Sequence, residues 1–285
     1  ALKFLDESRK TEDPFYLYLA FNAPHDPRQS PQEYLDRYPI ERISTPTPFL
    51  TEYPYAEQIG AGKNLRDEKL APFPRTKQAV AVHRREYYAI INHLDDQIGR
   101  VLKALDASGE ADNTWIFFTA DHGLSVGHHG LVGKQNQYDH SIRVPFVVVG
   151  PGVSAGVTDS TPIYLQDVMP TTLELAGVKP PEHVFFKSLL PRLTLTTSTA
   201  RRKPYEAIYG SYLKLQRSIT HDGWKLIMYP DAQVIRLYHV QDDPHEIIDL
   251  ADRPEHADQI KELFDHFIVL QRELQDPVDV TYLRP

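Results

Sequence analysis

Apolar positions between residues 78 and 108 fall at Tyr87, Ile90, Ile91, Leu94, Ile98, Val101, Leu102 and Leu105. That three-to-four spacing predicts a long amphipathic helix, stopped by Gly109. Shorter apolar runs flank it. "PFYLYLAF" (Pro14–Phe21), "NTWIFFT" (Asn113–Thr119) and "VPFVVVG" (Val144–Gly150) are bounded by turn residues and read as buried strands. A short helix is expected around Ala1–Glu7. "LQDVMPTTLELAG" (Leu165–Gly177) reads as a helix with a glycine at its C-terminal end. Helices alternating with short apolar strands predict an α/β fold, part of a mainly parallel sheet sandwiched by helices. Residues Ile40–Lys77 show no period and read as an irregular, surface-covering insertion.

The pattern changes after Pro180. Residues Glu206–Pro230 and Val234–Val240 alternate around turn signals such as "HDG", which predicts an antiparallel meander. Arg253–Leu274 then reads as a C-terminal amphipathic helix. The expected organisation is residues 1–180 as part of an α/β domain and 181–285 as a small α+β subdomain.

Composition narrows the chemistry. The formal net charge is -8 with no long basic run, which argues against nucleic acid as the main partner. There is no cysteine, so disulfides, thiolate metal sites and a cysteine nucleophile are excluded within these residues. No apolar run approaches the ~18 residues of a membrane span.

The chemistry concentrates in "TADHGLSVGHHGLVGKQNQYDHSIRVP" (Thr119–Pro145). Asp121 and His122 follow a predicted strand, where a carboxylate and an imidazole suit a divalent cation. In isolation such a triplet is more often structural. Gly123, Gly127, Gly130 and Gly133 then recur every three or four residues, which permits close backbone approach to a ligand. Lys134 follows as a point charge for an oxyanion. Of the paired histidines, His129 is the candidate for facing substrate, with a packing role about equally plausible. His25, held in "NAPHDPRQSP" at a predicted strand end, can donate a proton near neutral pH.

Five segments, "PFYLYLAFNAPHDP", "YYAIINHLDDQIGRVLKAL", "FFTADHGLSVGHHGLVGKQNQYDHSIRVPFVVVGPGV", "QDVMPTTLELAGV" and "LYHVQDDPHEIIDLAD", occur in the order seen in type I sulfatases of the alkaline phosphatase superfamily. The chain resembles their C-terminal portion, most closely the choline, iduronate and polysaccharide sulfatase branch. The resemblance implies hydrolysis of sulfate esters, with sugar sulfates preferred, and export to the periplasm or outside the cell. It implies Asp121 and His122 as metal ligands, for calcium or alternatively magnesium or manganese. Lys134 and His25 are implied as sulfate-binding and catalytic groups, His25 at the leaving oxygen.

The family's Cys/Ser-x-Pro-x-Arg motif, which yields the formylglycine nucleophile, has no match here. "STPTP" (Ser44–Pro48) and "STPIY" (Ser160–Tyr164) lack the arginine. Asp95–Asp96 falls mid-helix, and Asp242–Asp243 matches a structural turn of the family. The nucleophile is therefore expected on an N-terminal portion of the same protein or on a companion chain, and this chain alone is expected to be inactive. A sheet lacking its first strands would expose an apolar face and an unpaired edge. Two other readings stay open: a phosphonate monoester or phosphodiester hydrolase of the same superfamily, and a non-catalytic binding module.

Overall fold

The computed structural model describes residues 1–194 and 203–284. Helices α1 (Leu2–Ser8) and α2 (Gln32–Asp36) pack on α3 (Lys77–Ser108). The side chain of Thr76 caps the start of α3, accepting from Ala79 N at 3.1 Å, and Gly109 ends it at φ 84. Both follow from chemistry: a hydroxyl satisfies an orphan N–H, and glycine tolerates the left-handed cap. Asp95 and Asp96 lie within this helix, and Asp96 accepts a hydrogen bond from the Tyr34 hydroxyl at 2.7 Å.

Strands β1 (Ile116–Thr119) and β2 (Phe146–Val149) form a two-stranded sheet. Helix α4 (Asp139–Ile142) lies between them in sequence, and α5 (Val168–Leu175) and α6 (Leu190–Thr194) follow. Gly177, at φ 70, closes α5 as expected.

The α/β class is as expected, but β1 and β2 pair antiparallel, so no parallel pair occurs among the described residues. Residues 14–21 form no strand either. They have no sheet partner, and Tyr16 and Tyr18 are 73% and 81% exposed. β2 is covered, and only in part, on one face: Phe146 and Val148 are partly buried, while Val147 and Val149 are exposed, as is Phe118 on β1. A continuous apolar run signals a strand covered on both faces, and here that second cover does not come from the described residues.

The second sheet is the expected meander, β3 (Ile208–Tyr212), β4 (Gln216–His221), β5 (Trp224–Tyr229) and β6 (Val234–His239), in that spatial order. Asp222 and Gly223 form the β4–β5 turn with φ 43 and φ 82, the positive-φ geometry of a two-residue hairpin. Helix α7 (Ala257–Glu273) covers one face. Leu226, Met228 and Leu237 meet Leu263, Phe264 and Phe267 there, all fully buried. The alternate β5 residues, Ile227 and Tyr229, point the other way and pack with Tyr53, Ile59, Leu131 and Tyr138. The four-stranded sheet is therefore a middle layer.

The residue 40–77 segment is not a surface cover. Tyr53, Ala56, Ile59, Ala61, Glu68, Ala71 and Arg75 are buried in it. Successive turns satisfy its backbone, for example Ile59 N to Tyr55 O at 3.0 Å and Ala61 N to Ala56 O at 2.8 Å, so burial is possible without a regular period. Its Tyr53 hydroxyl links to those of Tyr138 (2.9 Å) and Tyr229 (3.0 Å), which keeps these three buried phenols partnered.

Candidate active site

The segment after β1 folds back as an irregular hairpin. Ser125, Val126 and Gly127 donate backbone hydrogen bonds to the carbonyls of Gly133, Val132 and Leu131 at 2.8, 3.3 and 2.8 Å. Continuing that register sets Lys134 opposite Leu124, next to the Asp121–His122–Gly123 turn. Gly123 is required by space: a Cβ there would lie 2.1 Å from the carbonyl oxygen of His140. Gly123→Ala is expected to destabilise the fold by about 1–3 kcal/mol, the usual cost of overpacking against backbone. A denaturant melt checks this; an unchanged midpoint would refute it.

Two buried side chains hold the hairpin tip. The Glu68 carboxylate accepts from Val132 N (3.1 Å) and Gly133 N (2.8 Å) and pairs with Arg75. Arg75 also donates to the carbonyls of Gly130 (3.1 Å), Glu68 (2.9 Å) and Ala71 (2.5 Å). Burial pushes the Glu68 carboxyl up, opposed by the Gly133 N–H and the Arg75 charge. Sequence reasoning missed this anchor. The one available signal was the charge-dense "RDEKLAPFPR" inside an aperiodic segment.

The anchor presents Lys134 to His25. Lys134 Nζ lies 2.9 Å from His25 Nε2, and Arg66 Nη2 lies 3.2 Å from the same nitrogen. His25 Nδ1 sits 3.0 Å from both the carbonyl and a carboxylate oxygen of Asp26. An Nδ1–H donated there leaves Nε2 facing the two cations. Asp67 backs the group. It accepts from Arg66 Nε (2.8 Å), Arg66 Nη2 (2.6 Å) and Gln135 Nε2 (2.8 Å), and lies 3.8 Å from Lys134 Nζ. Burial pushes the Asp67 carboxyl up, but hydrogen bonds from Gln135 and Arg66 and the Lys134 charge outweigh it, so it titrates below the usual range. Asp67 thus stays anionic and fixes the cations. Two cations and an imidazole converging on one point form a clamp for an oxyanion. The structure brings His25 and Lys134 together, with His25 in a turn rather than at a strand end. Arg66, Asp67 and Gln135 were not legible as members.

Asp121 and His122 lie just past the end of β1. The Asp121 side chain is 86% exposed, with Oδ2 3.4 Å from His122 Nε2. His122 Nδ1 is held 2.9 Å from the Gly123 carbonyl, which leaves Nε2 as the lone-pair nitrogen beside the Asp121 carboxylate. One carboxylate and one oriented imidazole fit part of a divalent cation's shell. A hard cation takes about six to eight ligands, so the remainder must come from other groups.

His129 is placed differently from the substrate-facing expectation. It is 4% exposed, stacks on Tyr138 with ring centroids 3.9 Å apart, and sets Nε2 3.0 Å from the Glu246 carbonyl. The positive φ of 54 at His129, between Gly127 and Gly130, turns its ring inward to the tyrosine cluster. Burial lowers His128 and His129 to about 4. Their folded-state values lie below the unfolded value, so unfolding takes up protons between the two. The stability they contribute is present above pH ~6.5 and lost as pH falls toward about 4. Melting temperatures across that window are expected to drop, with proton uptake on unfolding; a flat profile would contradict it.

Glu246 and Asp243 serve the fold. Glu246 joins Lys225 Nζ (2.7 Å) and Asp139 N (2.7 Å), and Asp243 accepts from Ile247 N (2.7 Å) and Ile248 N (2.8 Å). The turn containing Asp242–Asp243 therefore docks the second sheet onto α4.

Comparison with known proteins decides the family. The sulfatase family model matches residues 1–178. The chain belongs to the sulfatase family. A second model, the C-terminal region of N-sulphoglucosamine sulphohydrolase, matches residues 127–273 of this sulfatase chain. Choline-sulfatase of Rhizobium meliloti is 30% identical over 87% of the chain and 48% of its own length. N-acetylglucosamine-6-O-sulfatase of Bacteroides thetaiotaomicron is 32% identical over 68% of the chain and 36% of its own length. A solved structure of BT4656 in complex with D-glucosamine-2-N,6-O-disulfate superposes with a TM-score of 0.67 at 28% identity, over 80% of this chain and 47% of the other. Phosphonate monoester hydrolase of Agrobacterium radiobacter shares the fold, with a TM-score of 0.77 at 21% identity over 95% of this chain and 59% of the other. The chain spans about half the length of the curated relatives it matches. No helix among the described residues is long and apolar enough to cross a membrane.

Proposed function

We propose that the protein containing this chain hydrolyses sulfate esters of carbohydrates, and that this chain supplies the oxyanion clamp and part of the metal site. The observation that carries the reading is the convergence of Lys134 Nζ and Arg66 Nη2 on His25 Nε2, at 2.9 and 3.2 Å, in a sulfatase chain. A sulfate ester presents several oxygens bearing negative charge. Lys134 and Arg66 bind them, and Asp67 and Gln135 hold those donors in place. His25 is oriented through Asp26, and in its doubly protonated form Nε2 delivers a proton to the departing sugar oxygen. Asp121 and His122 would hold a divalent cation, calcium in this reading, which supplies charge stabilisation to the sulfate.

The nucleophile is assigned to residues beyond this sequence, on an N-terminal portion of the same protein or a companion chain. Support comes from the lack of cysteine and of the Ser-x-Pro-x-Arg pattern, and from the exposed apolar side chains Tyr16, Tyr18, Phe118, Val147 and Val149. Export belongs to the same proposal; one relative, from Drosophila melanogaster, is named an extracellular sulfatase.

The test is hydrolysis by the complete protein with calcium, comparing a glucosamine 6-sulfate with an aryl phenylphosphonate. Faster release of sulfate is expected. A clear preference for the phosphonate would replace this reading with the phosphonate hydrolase one.

A further inference from the structure

A second cluster of ligating side chains lies away from the oxyanion clamp, where the four-stranded sheet meets α7. His221 ends β4, and Glu262 and His266 stand four residues apart on α7. That spacing puts both on one helix face. One ligand atom from each of the three residues falls within 4.8 Å of the others. Among the described residues no other such group of three occurs.

The arrangement is more than proximity. His221 Nδ1 lies 2.8 Å from the Glu206 carbonyl, which makes it the N–H donor and leaves Nε2 as a lone pair. That Nε2 is 4.0 Å from a Glu262 carboxylate oxygen, and the His221 and His266 rings approach to 4.2 Å between centroids. The neighbouring Asp222 is engaged by Lys203 at 2.9 Å, so the lysine charge is largely compensated. The helix backbone beneath is anchored by packing. Leu263 and Phe267, each following one of the helix ligands, are fully buried against the sheet. Glu262 is half-exposed.

We propose that His221, Glu262 and His266 form a site for zinc or a similar borderline divalent ion, separate from the hard-cation position at Asp121 and His122. Two imidazoles and one carboxylate make a three-ligand tetrahedral set, with a fourth position open to water. Ligand distances near ~2.0 Å require the three atoms to draw together by little more than a side-chain rotation. The bound ion would tie α7 to the end of β4 at the edge of the second sheet.

The test uses the full chain and two probes. Zinc is titrated in competition with a chromophoric chelator, and cobalt is added to read its visible absorption. One equivalent of zinc is expected to bind and to raise the melting temperature, and cobalt to give a tetrahedral-type band. His221→Ala and His266→Ala are each expected to abolish the cobalt band and weaken zinc at least about tenfold. Glu262→Gln is expected to weaken it less. Asp121→Ala should leave zinc binding unchanged, which distinguishes this site from the one used in the proposed hydrolysis. Circular dichroism of each apo variant checks folding, and a paired His221→Gln variant serves if alanine unfolds the chain. Zinc and cobalt binding that is absent, or that persists unaltered in the folded histidine variants, overturns the proposal.

Discussion

Lys134→Ala is expected to lower kcat/KM of the complete enzyme for a sulfated sugar by about 100- to 1000-fold, the usual effect of removing one oxyanion donor. The lysine is aimed rather than loose. Its hairpin is closed by the Ser125–Gly133 backbone bond at 2.8 Å, and Nζ stands 2.9 Å from His25 Nε2. Lys134→Arg should recover only part of the loss, since a forked guanidinium already occupies the neighbouring position at Arg66. Stability should change little in either variant, because the Lys134 side chain is not fully buried. Combining Lys134→Ala with His25→Ala should cost less than the sum of the two, as both act on one oxyanion. Steady-state kinetics with a thermal melt on each variant checks this. A Lys134→Ala enzyme retaining more than a third of parental kcat/KM would remove the lysine from the clamp.

Glu68→Ala is expected to be the most destabilising substitution near the site, by about 3–5 kcal/mol, the cost of leaving a buried charge without its partner. Arg75 is 0% exposed at its side chain, and Glu68 1%. Removing the carboxylate also strands the N–H groups of Val132 and Gly133. Because those residues precede Lys134, residual folded protein should also lose activity through a misplaced lysine. Urea denaturation reads the first effect and KM against kcat the second. A midpoint within ~0.5 kcal/mol of the parent would show that Glu68 is not the anchor.

The fold is unevenly legible along the chain. Helices α3 and α7 were readable because their apolar residues recur at the helical period, and the meander because its short strands are punctuated by turn residues, both strictly local properties. The turn at Asp222–Gly223 was readable because few residues take positive φ. The segment at 14–21 misled, since an apolar run reports a wish for burial and not the partner that provides it. Residues 40–77 misled in the opposite direction. Their burial rests on turn bonds and a tyrosine cluster, neither of which has a period.

By itself the sequence determined the longer helices α3, α5 and α7, the meander and the sulfatase family, and through that resemblance it offered Asp121, His122, Lys134 and His25 as candidates for the proposed metal and sulfate roles. Tertiary structure alone decided which of the loop's side chains point where. Lys134 meets His25 across 109 residues and Arg66 meets it across 41. Such pairings depend on how the hairpin docks against Glu68 and Arg75. His129 and Lys134 share one loop, yet the left-handed turn sends the imidazole into the core and the ammonium to the clamp. Local pattern fixes neither outcome, because both are set by packing between elements distant in the chain.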